Sequence, residues 1–235
     1  MEFWKNFWED YRNITIETQS DLFYQVGKTK NKLPINKADF ENLIEDIIVS
    51  LQISKNDVLL ELCCGNGLIT KIVAQRCKEV YAFDFTKHLI DTAQEFNADA
   101  NIFYTIGNAK EDFFKLFPFN ELPNKFLFND ALAYFTPADL KKIIETISNY
   151  CSNFELYVTN VPLDELKYNF YNTPERVQHY EENLKNGDFS NNGIGRWWSE
   201  QELISIAEDF KLHYKIQQPD AALTNFRINI LYKKN

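Results

Sequence analysis

No stretch of this chain is apolar for long enough to cross a bilayer, and no basic-then-apolar leader opens it. A cytoplasmic location is the resulting expectation. A basic excess is also missing, since the net charge is −9 and the isoelectric point is near 5.0. Broad phosphate-binding faces normally show as positive surface, so no broad nucleic-acid-binding surface is expected. The four cysteines, Cys63, Cys64, Cys77 and Cys151, have neither C-x-x-C spacing nor a histidine cluster beside them. That excludes the usual zinc patterns, so no metal is expected and the thiols are read as free. Cys63 and Cys64 are read as small residues filling a tight turn, with redox sensitivity as the alternative. Internal repeats and low-complexity tails are absent too.

What is present is apolar bulk, with 45% hydrophobic and 15% aromatic residues in 235, enough for one α/β domain with a large core. Phe3, Trp4, Phe7, Trp8 and Tyr11 recur at helical spacing, and the mixed charges between them favour docking onto the protein over a membrane surface. Phe40, Leu43, Ile44, Ile47, Ile48 and Leu51 form a second helical stripe, with Asn36 as its cap. Residues 1–52 thus read as an N-terminal helical segment.

From Val58 the pattern alternates. Strands are expected over Val58–Leu62, Glu79–Phe83, Asn101–Tyr104, Lys125–Asn129 and Phe154–Thr159, and helices over Leu68–Arg76, Lys87–Phe96 and Ala138–Tyr150. Such alternation predicts a mostly parallel sheet with helices on both faces, in which ligands bind beyond the carboxyl ends of the strands. Val161–Trp198 is interrupted by Pro162, Pro174 and the Gly187-to-Gly195 stretch, and is rich in aromatics. It is read as an inserted cap over residues 161–198, facing the acceptor. A helix over Ser199–Asp209 and an antiparallel pair, Lys211–Gln217 with Phe226–Tyr232, complete the chain.

The richest local signal is Val58-Leu59-Leu60-Glu61-Leu62-Cys63-Cys64-Gly65-Asn66-Gly67, an apolar strand that ends in an acid and a glycine turn before a helix. Glycine lets backbone approach a ligand closely, and a helix start offers unpaired N–H groups. Glu79-Val80-Tyr81-Ala82-Phe83-Asp84 then ends the next strand in a carboxylate placed for a ribose. The full G-x-G-x-x-G spacing is absent, and Glu61 precedes the turn.

This combination resembles the class I S-adenosylmethionine-dependent methyltransferases, whose fold is a Rossmann-like seven-stranded sheet. Glu61, Cys63, Gly65 and Gly67 match the family's first motif with cysteine in place of the first glycine, and Asn66 lies within that turn. The resemblance implies that Asp84 binds the ribose hydroxyls and Phe85 lies against the adenine. Gly107-Asn108-Ala109 is similar to the third motif, with Asn108 in place of the usual aspartate, and its amide carbonyl still accepts from the adenine amine. Asn129-Asp130-Ala131-Leu132 occupies the place of the fourth motif. Gln25 to Thr29, Gly195 to Trp198 and Phe226-Arg227 resemble segments of bacterial small-molecule methyltransferases, several of which accompany cell-surface polysaccharide genes.

The function implied is methyl transfer from S-adenosylmethionine to a small-molecule acceptor, foremost to oxygen on a sugar-like molecule. An alcohol is weakly acidic, so a base near the methyl group would help. Asp130 and His179 are the candidates, against a turn-stabilising role for Asp130 and an idle loop position for His179. Lys28 is read as a partner of the donor's methionine carboxylate, against a solvated charge. Arg196 or Arg227 is read as holding an acceptor phosphate or carboxylate, with a structural ion pair as the alternative for Arg227. Tyr171 and Trp197 are expected to contact the acceptor, against simple packing in the cap. The rival functions are a small-molecule N-methyltransferase and a non-catalytic module that binds the donor.

Overall fold

Val58–Leu62 is apolar at every position but Glu61 and is buried on both faces, which is how a central parallel strand reads. The computed structural model describes residues 4, 6–11, 13–186, 194–219 and 224–235. Phe3 and Lys5 of the first aromatic segment, and 187–193 of the expected cap, lie outside the described residues.

The described chain opens with a π-helical turn, Phe7–Tyr11, and helix α1, Gln19–Gln25. A short hairpin of β1 (Thr29–Lys30) and β2 (Leu33–Pro34) leads to α2 (Lys37–Ser50). The doubly wound part follows: β3 (Val58–Leu62), α3 (Thr70–Ala74), β4 (Glu79–Asp84), α4 (Lys87–Phe96), β5 (Ile102–Ile106), β6 (Lys125–Asn129), α5 (Pro137–Tyr150) and β7 (Phe154–Pro162). Helices α6 (Lys167–Phe170), α7 (Pro174–Asn186) and α8 (Glu200–Asp209) precede β8 (His213–Gln217) and β9 (Arg227–Lys234).

Seven strands form one sheet in the order β5-β4-β3-β6-β7-β9-β8. Pairs from β5 through β7 are parallel, and β9 runs antiparallel to both β7 and β8. The period of two divides the core. Leu59, Val80, Leu127 and Tyr157 pack with Phe40, Ile44 and Ile47 of α2 and with Val73 of α3. Leu60, Phe83, Phe128 and Val158 face Leu140, Ile143 and Ile147 of α5 and Leu203 and Ile206 of α8. Caps fix the helix starts: Asn36 Oδ1 accepts from Asp39 N at 2.8 Å, and Thr136 with Asp139 closes a capping box ahead of Pro137.

Two elements differ from expectation for local reasons. The β1–β2 turn uses Asn31 (φ 52°) and Lys32 (φ 65°) in the left-handed region without glycine, so it carries no Asn-Gly signature. Pro174 reads as a breaker, yet it occupies the first position of α7, where its missing N–H costs nothing.

Candidate functional site

Several strand ends turn the chain sharply at the carboxyl edge of the sheet. Cys63 (φ 56°), Gly65 (φ 57°) and Gly67 (φ 73°) follow β3, Asp130 (φ 55°) follows β6, and Asn160 (φ 56°) lies near the end of β7. Left-handed backbone at non-glycine residues is costly and gathers at sites that need it. Cys63 therefore adopts a glycine-like conformation although it carries a side chain. Of these, Cys63, Gly65 and Asp130 border a cavity of about 730 Å³.

Toward β4 and β5 the cavity wall contains Glu61, Cys63, Gly65, Asp84, Phe85, Leu89, Ile106 and Asn108. Asp84 Oδ2 accepts from Gly65 N at 3.1 Å and Oδ1 from Thr86 N at 2.9 Å. Burial raises the Asp84 carboxyl above its ordinary range, and those two N–H groups pull it back in part. Glu61 is 2% exposed and accepts from Thr70 Oγ1 at 2.6 Å. Burial pushes its carboxyl up to about 7, with the Thr70 hydroxyl and the Lys28 charge acting against that. The Cys63 and Cys64 thiols are held well above their usual range by burial, with Asp84 and Glu61 adding to the effect. Asn108 Oδ1 accepts from Lys110 N at 3.0 Å, which leaves a second lone pair on that oxygen.

At the β6 end, Lys28 Nζ lies 3.0 Å from Asp130 Oδ2, and Arg227 Nη1 pairs with Asp130 Oδ1. Arg227 Nη1 also donates to Asn160 O at 2.9 Å. The register between β7 and β9 shifts between Val158 and Val161, and this bulge presents the Asn160 carbonyl to Arg227. Burial alone would raise the Asp130 carboxyl, but Lys28 and Arg227 hold it below the usual carboxylate range. Asn129, Lys28, Asp130 and Arg227 all line the cavity.

The remaining wall is aromatic and comes from the amino-terminal segment. Trp4, Phe7 and Trp8 line the cavity together with Tyr134, which closes the short 3₁₀ turn Leu132–Tyr134. The Trp4 and Tyr134 rings are 4.7 Å apart, and Trp8 meets Tyr134 edge-on at 6.0 Å.

Other expected site residues lie elsewhere. Gly67 and Ala109 are not on the cavity wall: a Cβ on Gly67 would run into the Tyr104 hydroxyl and lie 3.1 Å from Ala93 Cβ, so this glycine permits close packing onto β5 and α4, and Ala109 is core. Asn66 reaches the wall, but its fully buried amide donates to Leu22 O and Gln25 Oε1, each at 2.9 Å, which pins α1 to the turn. His179 sits on α7 beside Asn183, outside the cavity. Tyr171 stacks on Tyr180 at 4.3 Å and accepts from Trp197 Nε1 at 3.4 Å, so these rings pack with each other rather than over the strand ends.

Arg196 is paired with Glu202 at 2.6 Å. Its backbone N–H donates to Ala133 O at 2.7 Å, so the segment around it backs the turn that carries Tyr134. Ile106, Leu89, Tyr134 and Lys110 were not anticipated as wall residues. Only the aromatic repeat of residues 3–11 foreshadowed part of that side.

A family described as "Methyltransferase domain" matches residues 59–153. A ribosomal RNA small subunit methyltransferase A from Clostridium botulinum (strain Langeland) is 39% identical over 82 residues, which cover 35% of this chain and 28% of the relative. The chain thus spans less than a third of the length of the curated relatives it matches first. Among solved structures, the DhpI–SAM–HEP complex superposes with a TM-score of 0.62 at 11% identity, covering 100% of this chain and 97% of the other. Magnesium protoporphyrin IX methyltransferase from Synechocystis PCC 6803 with bound SAH gives 0.57 at 13% identity, with 97% and 98% covered. The cavity edge fits such a donor, with glycine backbone beside a carboxylate and apolar Phe85 and Ile106 beyond it. Residues 59–153 thus carry the similarity to a methyltransferase domain, and the seven-stranded sheet shares its fold with solved methyltransferase structures.

Proposed function

We propose that the chain transfers a methyl group from S-adenosylmethionine to an oxygen of a small-molecule acceptor, with a sugar-like molecule the first class to test. The observation that carries this reading is the Gly65–Asp84 pair on the wall of a cavity at the carboxyl ends of β3 to β6. The bound donor would supply an electrophilic methyl group. Asp84 would hold the ribose hydroxyls, Phe85 and Ile106 would flank the adenine, and the free lone pair of Asn108 Oδ1 would accept from its amine. Glu61 and Cys63 would border the methionine portion beside Gly65, and Lys28 would face its carboxylate. A single methyltransferase domain is part of this reading, with Trp4, Phe7 and Trp8 rather than Tyr171 and Trp197 bordering the acceptor.

Enclosure between the aromatic wall and the strand ends supports rate enhancement by positioning in a water-poor space. Asp130 supports the reading as an organiser of Lys28 and Arg227. As a proton acceptor it is poor, because two cations stabilise its charged form.

The match to ribosomal RNA methyltransferases raises RNA as an acceptor. The net charge of −9 weighs against a large RNA-binding face. Asn129-Asp130-Ala131-Leu132 also lacks the Asn/Asp-Pro-Pro-aromatic pattern of enzymes that methylate adenine amines. A cytoplasmic setting accords with a metabolite acceptor. Incubation with methyl-labelled S-adenosylmethionine and a metabolite extract tests the proposal directly. Label should move to a small molecule, and transfer to added RNA alone would overturn the acceptor class.

A further inference from the structure

The end of the cavity near β6 and β9 has a charge pattern that a neutral alcohol does not need. Lys28 and Arg227 share the single carboxylate of Asp130, so the cluster carries one net positive charge. Among the described residues, the protein hydrogen bonds of Arg227 both leave from Nη1, to Asp130 and to Asn160 O. Its Nε and Nη2 donors keep their capacity in a side chain that is 20% exposed and lines the cavity. A guanidinium edge of this kind matches the two oxygens of a carboxylate or phosphoryl group.

The same end is poor in groups able to take a proton. No described histidine lines the cavity. Asp130 would have to give up two ion pairs, and Asp84 is bound by two backbone N–H groups. Glu61, on the β3 side of the wall, is 2% exposed and bound by the Thr70 hydroxyl, and Glu111 accepts from Asn108 on the β5 side. Glu9, on the aromatic turn, is already engaged within the protein. Lys110 is paired with Asp139 at 2.6 Å.

Taking the methyltransferase reading as its basis, we infer that the acceptor presents an oxyanion to Arg227 and is methylated on that carboxylate or phosphoryl oxygen, giving an ester rather than an ether. Sheet order supports the placement. A donor lying along β5, β4 and β3 ends its methionine portion near Lys28, which leaves Arg227 on β9 for the acceptor. The chemistry balances without a base. A lone pair of the oxyanion forms the oxygen–carbon bond while the carbon–sulfur bond breaks and its electron pair stays on sulfur. The reacting oxygen loses its negative charge and the sulfonium its positive charge as ester and thioether form, and no proton moves. A carboxylic acid is ionised at neutral pH, whereas an alcohol must lose a proton to become as nucleophilic. Loss of opposite charges is favoured where water is excluded.

The test uses the full chain, methyl-labelled S-adenosylmethionine and a metabolite extract split on an anion exchanger into acidic and non-acidic fractions. Label should enter molecules from the acidic fraction. Mild alkali should then release it as methanol from a carboxyl ester, or leave it on a product with one fewer negative charge from a phosphoryl group. Thermal shift supplies a readout apart from turnover. With S-adenosylhomocysteine present, the acidic fraction should raise the melting temperature of the wild type, and Arg227→Gln should abolish that increment while donor affinity by calorimetry stays within about twofold. Arg227→Lys should restore part of the increment. Transfer only to molecules of the non-acidic fraction, or an undiminished increment in Arg227→Gln, overturns the oxyanion assignment and leaves methyl transfer standing. Intact donor binding with no label on any acceptor counts against the transferase reading and this one together.

Discussion

The backbone N–H of Gly65 donates to Asp84 Oδ2 at 3.1 Å, so the turn that ends β3 and the acid that ends β4 hold each other in place. One carboxylate therefore shapes the glycine turn and faces the cavity. If Asp84 also binds the ribose, Asp84→Ala removes a charged hydrogen bond of about 1.5–3 kcal/mol and weakens donor affinity roughly tenfold or more. Calorimetry with S-adenosylhomocysteine on the folded variant measures this, and an unchanged dissociation constant would remove Asp84 from the ribose role.

The two glycines of the turn separate into different functions. A Cβ on Gly65 would meet Val26 Cγ1 at 3.0 Å beside the cavity, whereas on Gly67 it would enter the Tyr104 ring. Gly67→Ala is expected to lower stability by about 1–3 kcal/mol through overpacking and a left-handed φ, while the folded fraction binds donor normally. Gly65→Ala should show the reverse balance, with affinity falling more than stability. Urea midpoints and calorimetry on both variants decide this, and parallel losses in the two would contradict the separation.

The sheet, Glu61 and Asp84 were legible because their signals are local: apolar runs of strand length, each ending in a polar residue at the next turn. The aromatic wall was not. Trp4 and Tyr134 are 130 positions apart, and no periodicity states which helix face meets which turn. Tyr171, Tyr180 and Trp197 offered equal aromatic density, and only their three-dimensional packing shows that they face one another. Asn66 is a related case, since a polar residue in a motif turn looks the same in sequence whether its amide faces a ligand or, as here, donates to Leu22 and Gln25 while the residue still reaches the cavity wall.

Glu61 sets a pH dependence of stability. Its folded carboxyl sits at about 7, raised by burial above the ordinary value of 4.5, so the folded state holds the proton more tightly than the unfolded chain. Stability from this group is present below the unfolded value and is lost as pH rises toward about 7, by up to about 1.4 kcal/mol per pH unit. Glu61→Gln keeps an oxygen for the Thr70 hydroxyl and has no charge to bury. It should gain stability over the wild type at pH 8 and lose that advantage at pH 5. Urea melts at both values test this, and an advantage of equal size at pH 5 would show that burial of the charge is not the cause.

The position of the aromatic residues yields the sharpest contrast between two sets of rings. Tyr134 lines the cavity and carries Trp4 at 4.7 Å, whereas Tyr171 is 4% exposed and stacked on Tyr180 away from it. Tyr134→Ala should raise the KM for the acceptor with little change in donor affinity, because it opens the wall on the acceptor's side without touching Asp84 or Phe85. Tyr171→Ala removes a buried aromatic and should cost about 3–5 kcal/mol of stability, while the protein that remains folded turns over normally. Arg196 stands between these cases, since its backbone N–H holds Ala133 O beside Tyr134. Steady-state kinetics at a temperature where each variant is folded distinguishes the two sets. If Tyr171→Ala loses acceptor affinity while Tyr134→Ala does not, the acceptor lies under residues 161–198 and the amino-terminal aromatic segment only covers the core.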